Sequence, residues 1–273
     1  MSGPQLIYLE RRSCFETAVF NSKTQRLEED VSLRLWKNCG RLFRCHARVV
    51  AFVLAVLSGA LGEAFAQDGF VPLFPKDGAP EGFVVRHWSD ISKPPQDAAE
   101  WKVTDGVLTS VGARGCWLVS EKEYGDFVLE YEFKLGPTGN SGCALRAPMK
   151  GDPAFDGMEM QMADFRYNPK AKDSELTGGI YRAVAPTKQV YKPEEWNKVR
   201  IELSGSKLKV VMNGETIQDI DLSTFDQTVP RHDGTPAPAL KDRPRRGHIG
   251  FQELSRDGSH VVIRNARIKE VEK

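Results

Sequence analysis

Two short segments carry side chains that could handle protons and sugars together. In Gly157–Asp164 (GMEMQMAD), strand alternation puts Met158, Met160 and Met162 on one face and Glu159 and Gln161 on the other. In Asn140–Ala147 (NSGCALRA), Cys143 and Leu145 share one face, and Ala144 and Arg146 share the other. If the two strands are neighbours, Arg146, Glu159 and Gln161 meet on one polar face of a sheet. A carboxylate beside an amide and a guanidinium can bind a sugar, or can be tuned for proton transfer. The same spacing also suits an ordinary ion pair on a solvated sheet face. Tyr181 joins the candidates because it follows Thr177-Gly178-Gly179 at the end of a long loop. Trp88, Trp101, Trp117, Tyr181 and Trp196 suit either core anchors or platforms on which a sugar stacks.

Other chemistries lack their signatures. The chain has no nucleophile elbow, phosphate loop, dinucleotide fingerprint, C-x-x-C pair or H-E-x-x-H. His87, His232, His248 and His260 are scattered, which argues against a zinc site. A net charge of +1 gives no electrostatic footprint for nucleic acid. The Arg243–Arg246 run (RPRR) could meet an anion, although a solvated loop explains it as well.

The elements that must position these residues read as strands. Phe127, Leu129, Tyr131, Phe133 and Leu135 alternate with Val128, Glu130, Glu132 and Lys134, the pattern of a half-buried strand. Lys198–Leu203 and Lys207–Met212 flank a turn at Ser204-Gly205-Ser206, and Asn213-Gly214 leads into Glu215–Leu222. Further strands are expected at Trp101–Val103, Gly106–Val111, Cys116–Ser120, His248–Gln252 and Ser259–Val271. No amphipathic helix of three turns stands out. Many short strands separated by turns predict an all-β, antiparallel two-sheet β-sandwich, most economically a jelly roll. Two long loops, Ala147–Gly157 and Phe165–Gly178, flank the Glu159 segment, and a third, Pro230–Gly247, precedes the penultimate strand. Long loops in a compact domain are usually functional or disordered.

The amino-terminal quarter differs from the rest. Residues 1–40 read as a polar leader, and residues 41–66 read as a signal peptide. Arg41, Arg44 and Arg48 precede the apolar run Val49–Ala60, and Ala64-Phe65-Ala66 forms a small-x-small cleavage site. The run is short for a membrane span. Cleavage after Ala66 would leave a single domain over 67–273, secreted or periplasmic, with no stable membrane insertion. That domain holds 29 basic and 31 acidic side chains, and two cysteines, Cys116 and Cys143, that could pair or remain buried thiols.

The ordered motifs of 70–272 resemble one family. They run W-x-V-x-D-G-V-L (Trp101–Leu108), Y-G-D-F-V-L-E-Y-E-F (Tyr124–Phe133), G-N-S-G-C-A-L-R-A-P (Gly139–Pro148) and G-M-E-M-Q (Gly157–Gln161). T-G-G-I-Y (Thr177–Tyr181), E-W-N-K-V (Glu195–Val199), the N-G turn and I-G-F-Q (Ile249–Gln252) follow. This order is similar to the 3-keto-disaccharide hydrolase family, which implies a concanavalin A-like jelly roll and cleavage of a sugar oxidised at C3. A departure stands before Thr177, where Ser174-Glu175-Leu176 replaces a segment that often holds a histidine. A 3-keto group acidifies the C2 hydrogen, so a base can form an enolate and the C1 substituent can leave by β-elimination. Water addition would make the enzyme a hydrolase; release of the unsaturated product would make it a lyase. Under this resemblance Glu159 is the base or a metal ligand, and Arg146 stabilises the enolate or binds sugar oxygens. Asp164 is the second carboxylate, as acid or metal ligand, while Asn140, Gln161 and Tyr181 orient hydroxyls. The sequence names no cofactor, and a divalent cation could polarise the 3-keto and 2-hydroxy oxygens. The expected partner is an oligosaccharide or glycoside. The competing class is a lectin-like carbohydrate-binding module on the same scaffold.

Overall fold

The computed structural model describes residues 69–96 and 98–271. The leader and signal peptide read over 1–66 lie outside the described residues. Among those described, strands form two antiparallel sheets. The larger sheet runs β11 (Glu215–Asp221), β10 (Lys207–Met212), β9 (Asn197–Ser204), β6 (Phe127–Lys134), β13 (Val262–Glu270), β4 (Val107–Gly112) and β3 (Ala99–Thr104), and the short β1 (Val71–Pro72) also pairs with β13. The smaller sheet runs β2 (Phe83–His87), β5 (Cys116–Tyr124), β12 (Gly247–Glu253), β7 (Asn140–Ala147) and β8 (Met158–Ala163). The architecture is the expected two-sheet sandwich of concanavalin-like jelly-roll type.

Turn chemistry sets the hairpins. Asn213 and Gly214 both have positive φ, +52° and +87°, the conformation whose twist matches the flanking strands β10 and β11. Period-2 alternation sets which side chains enter the core. Phe127, Leu129, Tyr131 and Phe133 of β6 point inward, against Cys143 and Leu145 of β7, Met158, Met160 and Met162 of β8, and Phe251 of β12. Outward-facing Glu130 and Glu132 pair across strands with Arg267 and Arg264, each at 2.8 Å, on a hydrated face. Cys116 and Cys143 are buried free thiols, which burial pushes up to about 11 and 12 respectively.

The two sheets differ in one respect that matters for function. Every residue of β7, β8 and β12 is buried. Antiparallel strands usually expose one face. Here the outer face of the smaller sheet carries a second apolar cluster of Ile91, Trp117, Val119, Ala144 and Ala147. The loops expected to be long cover this face. One of them contains a single helical turn, α1 (Pro153–Asp156), capped by the Asp152 carboxylate, which accepts from the Ala154 N–H at 3.0 Å.

Candidate active site

β8 places Glu159 and Gln161 on the covered outer face, because Met158, Met160 and Met162 take the core side. β7 lies beside it in register, with Ala144 opposite Glu159, Gly142 opposite Gln161 and Asn140 opposite Ala163. Gly142 has a steric reason to be glycine. A Cβ there would fall 1.7 Å from Glu159 Oε1, so the carboxyl group lies directly over the glycine. The T-G-G-I-Y segment then closes the free edge of β8. The Gln161 N–H donates to Gly179 O at 2.8 Å, Gly178 N–H to Gln161 O at 2.9 Å and Tyr181 N–H to Glu159 O at 3.0 Å. This added edge brings the Tyr181 ring alongside Glu159.

These groups enclose a cavity of about 430 Å³. Its floor is Glu159, Gln161, Asn140 and Gln252, which are 2%, 5%, 8% and 5% exposed. Asp152, Ala154 and Tyr181 form one wall, and Trp88, Arg114, Tyr167 and His232 stand around the mouth. Arg114 donates to the Tyr167 hydroxyl at 3.1 Å and to Leu254 O, which ties two rim loops together. His232 packs against Phe155, Trp88 and Tyr181, with ring centroids 5.2, 5.7 and 5.9 Å away.

The electrostatics of the floor are unusual. Glu159 Oε1 and Asn140 Oδ1 are buried without a hydrogen-bond partner. Buried polar atoms are normally satisfied, so a pair of orphans facing one cavity marks a place prepared for a ligand. Gln161 Oε1 accepts from the Met162 N–H at 3.0 Å, which leaves its NH2 group to donate. Burial pushes Glu159 well above the usual carboxylate value, and nearby Asp152 adds to this. Burial also raises Asp152, to about 6, against the opposing bond from the Ala154 N–H. Burial lowers His232, with the Arg182 charge acting in the same direction. The Tyr181 hydroxyl is raised by burial and then by Glu159, so it stays protonated.

Four of the six residues singled out from sequence, Glu159, Gln161, Asn140 and Tyr181, therefore meet in one cavity. Arg146 does not join them, contrary to expectation. Ala147 pairs with His248 and Ala144 with Gly250, so three steps along β7 match two along β12. The extra residue is a bulge, and Arg146 sits in it at φ +52°. Ala147 takes the face that strict alternation assigned to Arg146. The Arg146 guanidinium donates instead to Gly125 O at 2.8 Å, Gly205 O at 2.7 Å and Asp126 Oδ1 at 3.0 Å. It is a buried clamp between two hairpin turns.

Asp164 does not line the main cavity either. Its carboxylate accepts from Arg166 Nε at 2.8 Å, Arg166 Nη2 at 2.9 Å and the Tyr191 hydroxyl at 3.0 Å. Burial pushes it up, but these bonds outweigh burial and hold it below the usual value. It borders a smaller neighbouring cavity of about 100 Å³ that shares Asn140, Gln161, Tyr167 and Tyr181 with the first. The second carboxyl group of the main cavity is Asp152, which sequence reasoning missed. Its position before Pro153 signals a helix cap but does not reveal which way the cap faces. Sequence reasoning also set His232 aside, and no spacing rule links its loop to Tyr181.

Arg243 and Arg245 of the RPRR run are satisfied by main-chain carbonyls, including Ala154 O and Gly157 O for Arg243, and so offer no anion site. Among the described residues, no group of three or more His, Cys, Asp or Glu is arranged to hold a metal ion. Among them also, no helix is long and apolar enough to cross a membrane.

Residues 69–269 match the family model of the 3-keto-alpha-glucoside-1,2-lyase-like domain. The chain belongs to this family. A crystal structure of a Parabacteroides distasonis protein, provisionally described as a glycosyl hydrolase, is 27% identical, with a TM-score of 0.58, and the match covers 74% of this chain and 99% of that one. A second such protein from the same organism is 24% identical, also with a TM-score of 0.58, over 77% of this chain and 97% of that one. The search of curated proteins returned no match.

Proposed function

We propose that this protein cleaves the glycosidic bond of 3-keto-glycosides by removing the C2 proton and eliminating the C1 substituent. The observation that carries this reading is the pair of buried carboxyl groups, Glu159 and Asp152, in one cavity whose floor offers unsatisfied polar atoms. Two carboxyl groups pushed apart in proton affinity divide the work of acid and base. Burial raises the proton affinity of both, Asp152 to about 6 and Glu159 well above the usual carboxylate value. The ionised member takes the C2 hydrogen. Glu159 and Asp152 share the proton-transfer step, and Asp152 replaces Asp164 as the second carboxyl group of the site. Negative charge develops on the oxygen at C3, where the Gln161 NH2 and the Asn140 amide donate to it. Tyr181, protonated on the cavity wall, orients a sugar hydroxyl.

Family membership and the 27% identical Parabacteroides distasonis protein, provisionally described as a glycosyl hydrolase, support a glycoside as the substrate class. A lectin-like role on the same scaffold predicts binding without turnover. The test is incubation with a 3-keto-glucoside and with its unoxidised parent. Release of the aglycone from the keto sugar alone supports the proposal. Cleavage of neither, at any pH between 5 and 9, sinks it, and retained affinity would then favour the binding module. Export is part of the same proposal and rests on the pattern of residues 41–66. Amino-terminal sequencing of the protein from its native compartment should find Gln67 first.

A further inference from the structure

His232 belongs to a strap that is braced over the cavity. Pro230 and Pro236 pair across a short bridge, and the Arg231 N–H donates to Thr235 O at 2.8 Å. The Arg231 side chain bonds Asp156 of α1 at 2.9 Å, and Arg182 donates to Pro230 O at 3.0 Å. The strap is thus tied on two sides, and the imidazole projects from its tip against Tyr181, Phe155 and Trp88. The cavity below it is closed at the floor, where Glu159 is 2% exposed. A sugar ring whose C2 faces the carboxyl pair must direct its C1 substituent toward the open mouth. Of the side chains there, His232 is the one whose proton exchanges near neutral pH.

We infer that His232 donates the proton to the departing glycosidic oxygen. The inference rests on the elimination reaction proposed above. In this step the enolate electrons form the C1=C2 double bond and restore the carbonyl at C3. The C1–O bond breaks, its electron pair stays on oxygen, and oxygen takes the imidazolium proton. The neutral ring then recovers a proton from solvent at the mouth. The charged groups facing the ring are Arg182, which disfavours the imidazolium, and Glu175 and Asp233, which favour it; burial disfavours it most. A weakly held proton is a strong acid, though a sparsely populated one at high pH.

The test compares two aglycones with the full chain and its His232→Asn and His232→Gln variants. One substrate is a 3-keto-disaccharide, whose alcohol leaving group needs a proton. The other is 4-nitrophenyl 3-keto-glucoside, whose phenolate leaves without one. The expected result is a loss of about 100-fold or more in kcat on the disaccharide and less than about 3-fold on the aryl glycoside. The high-pH decline of the disaccharide rate should vanish in the variants. Equal losses on both substrates, or none on either, would overturn the assignment of His232 and leave the elimination reaction standing. A wild-type chain inactive on both overturns the reaction, and the His232 assignment with it.

Discussion

Glu159 and Asp152 are protonated more readily in the folded protein than in the unfolded chain. Each therefore contributes stability that is fully present below its unfolded value, 4.5 or 3.8, and is lost as pH rises through the folded value. For Asp152 the move from 3.8 to about 6 corresponds to roughly 3 kcal/mol. Asp152→Asn keeps an acceptor for the Ala154 N–H and removes the charge. Calorimetry should find it melting above wild type at pH 8 and level with it near pH 3. A difference unchanged between the two would contradict the burial argument. Glu159→Gln should likewise hold or raise the melting temperature while lowering kcat by about 100-fold or more. Gly142→Ala is expected to displace the Glu159 carboxyl group, since Oε1 lies where the new methyl group would go. Its activity should fall with that of Glu159→Gln, and Glu159→Gln should add little further loss in the double variant.

At the scale of elements, alternation made Glu159, Gln161 and the methionines of β8 legible, because a strand with no bulge keeps strict period two. It failed for Arg146, because one bulge in β7 turns the rest of the strand over, and no local signal announces it. Removing the Arg146 side chain takes away donors from Gly125, Gly205 and Asp126 at once. Arg146→Ala should cost about 3–5 kcal/mol of stability, as loss of one partner from a buried ion pair does. The kcat per folded molecule should stay within about 3-fold of wild type, whereas a catalytic arginine would lower it far more. The Arg231–Asp156 tie is bidentate and only about one-quarter exposed on each side, so Arg231→Leu should lower the melting temperature measurably without unfolding the protein. It should also lower turnover of a 3-keto-disaccharide, because the strap that aims His232 would be released.

For the molecule as a whole, residues from widely separated stretches of chain meet at one cavity: Trp88, Asn140, Asp152, Glu159, Tyr181, His232 and Gln252. The sequence by itself determined most of the strands and the two-sheet class, since alternation and turn residues are local, while β1, β2 and the strand order came from the structure. It determined the family, since the order of motifs is one-dimensional, and it picked out the β8 residues and Tyr181. Only the tertiary structure decided which carboxyl group is Glu159's partner. Asp164 stands five residues along the chain from Glu159, but Arg166 and Tyr191 hold it elsewhere, whereas α1 turns Asp152 into the cavity. Only the fold covered the outer face of the smaller sheet and so removed Glu159 from water. Proton affinity depends on that desolvation, which belongs to the loops packed above the strand and cannot be read from the strand's own residues.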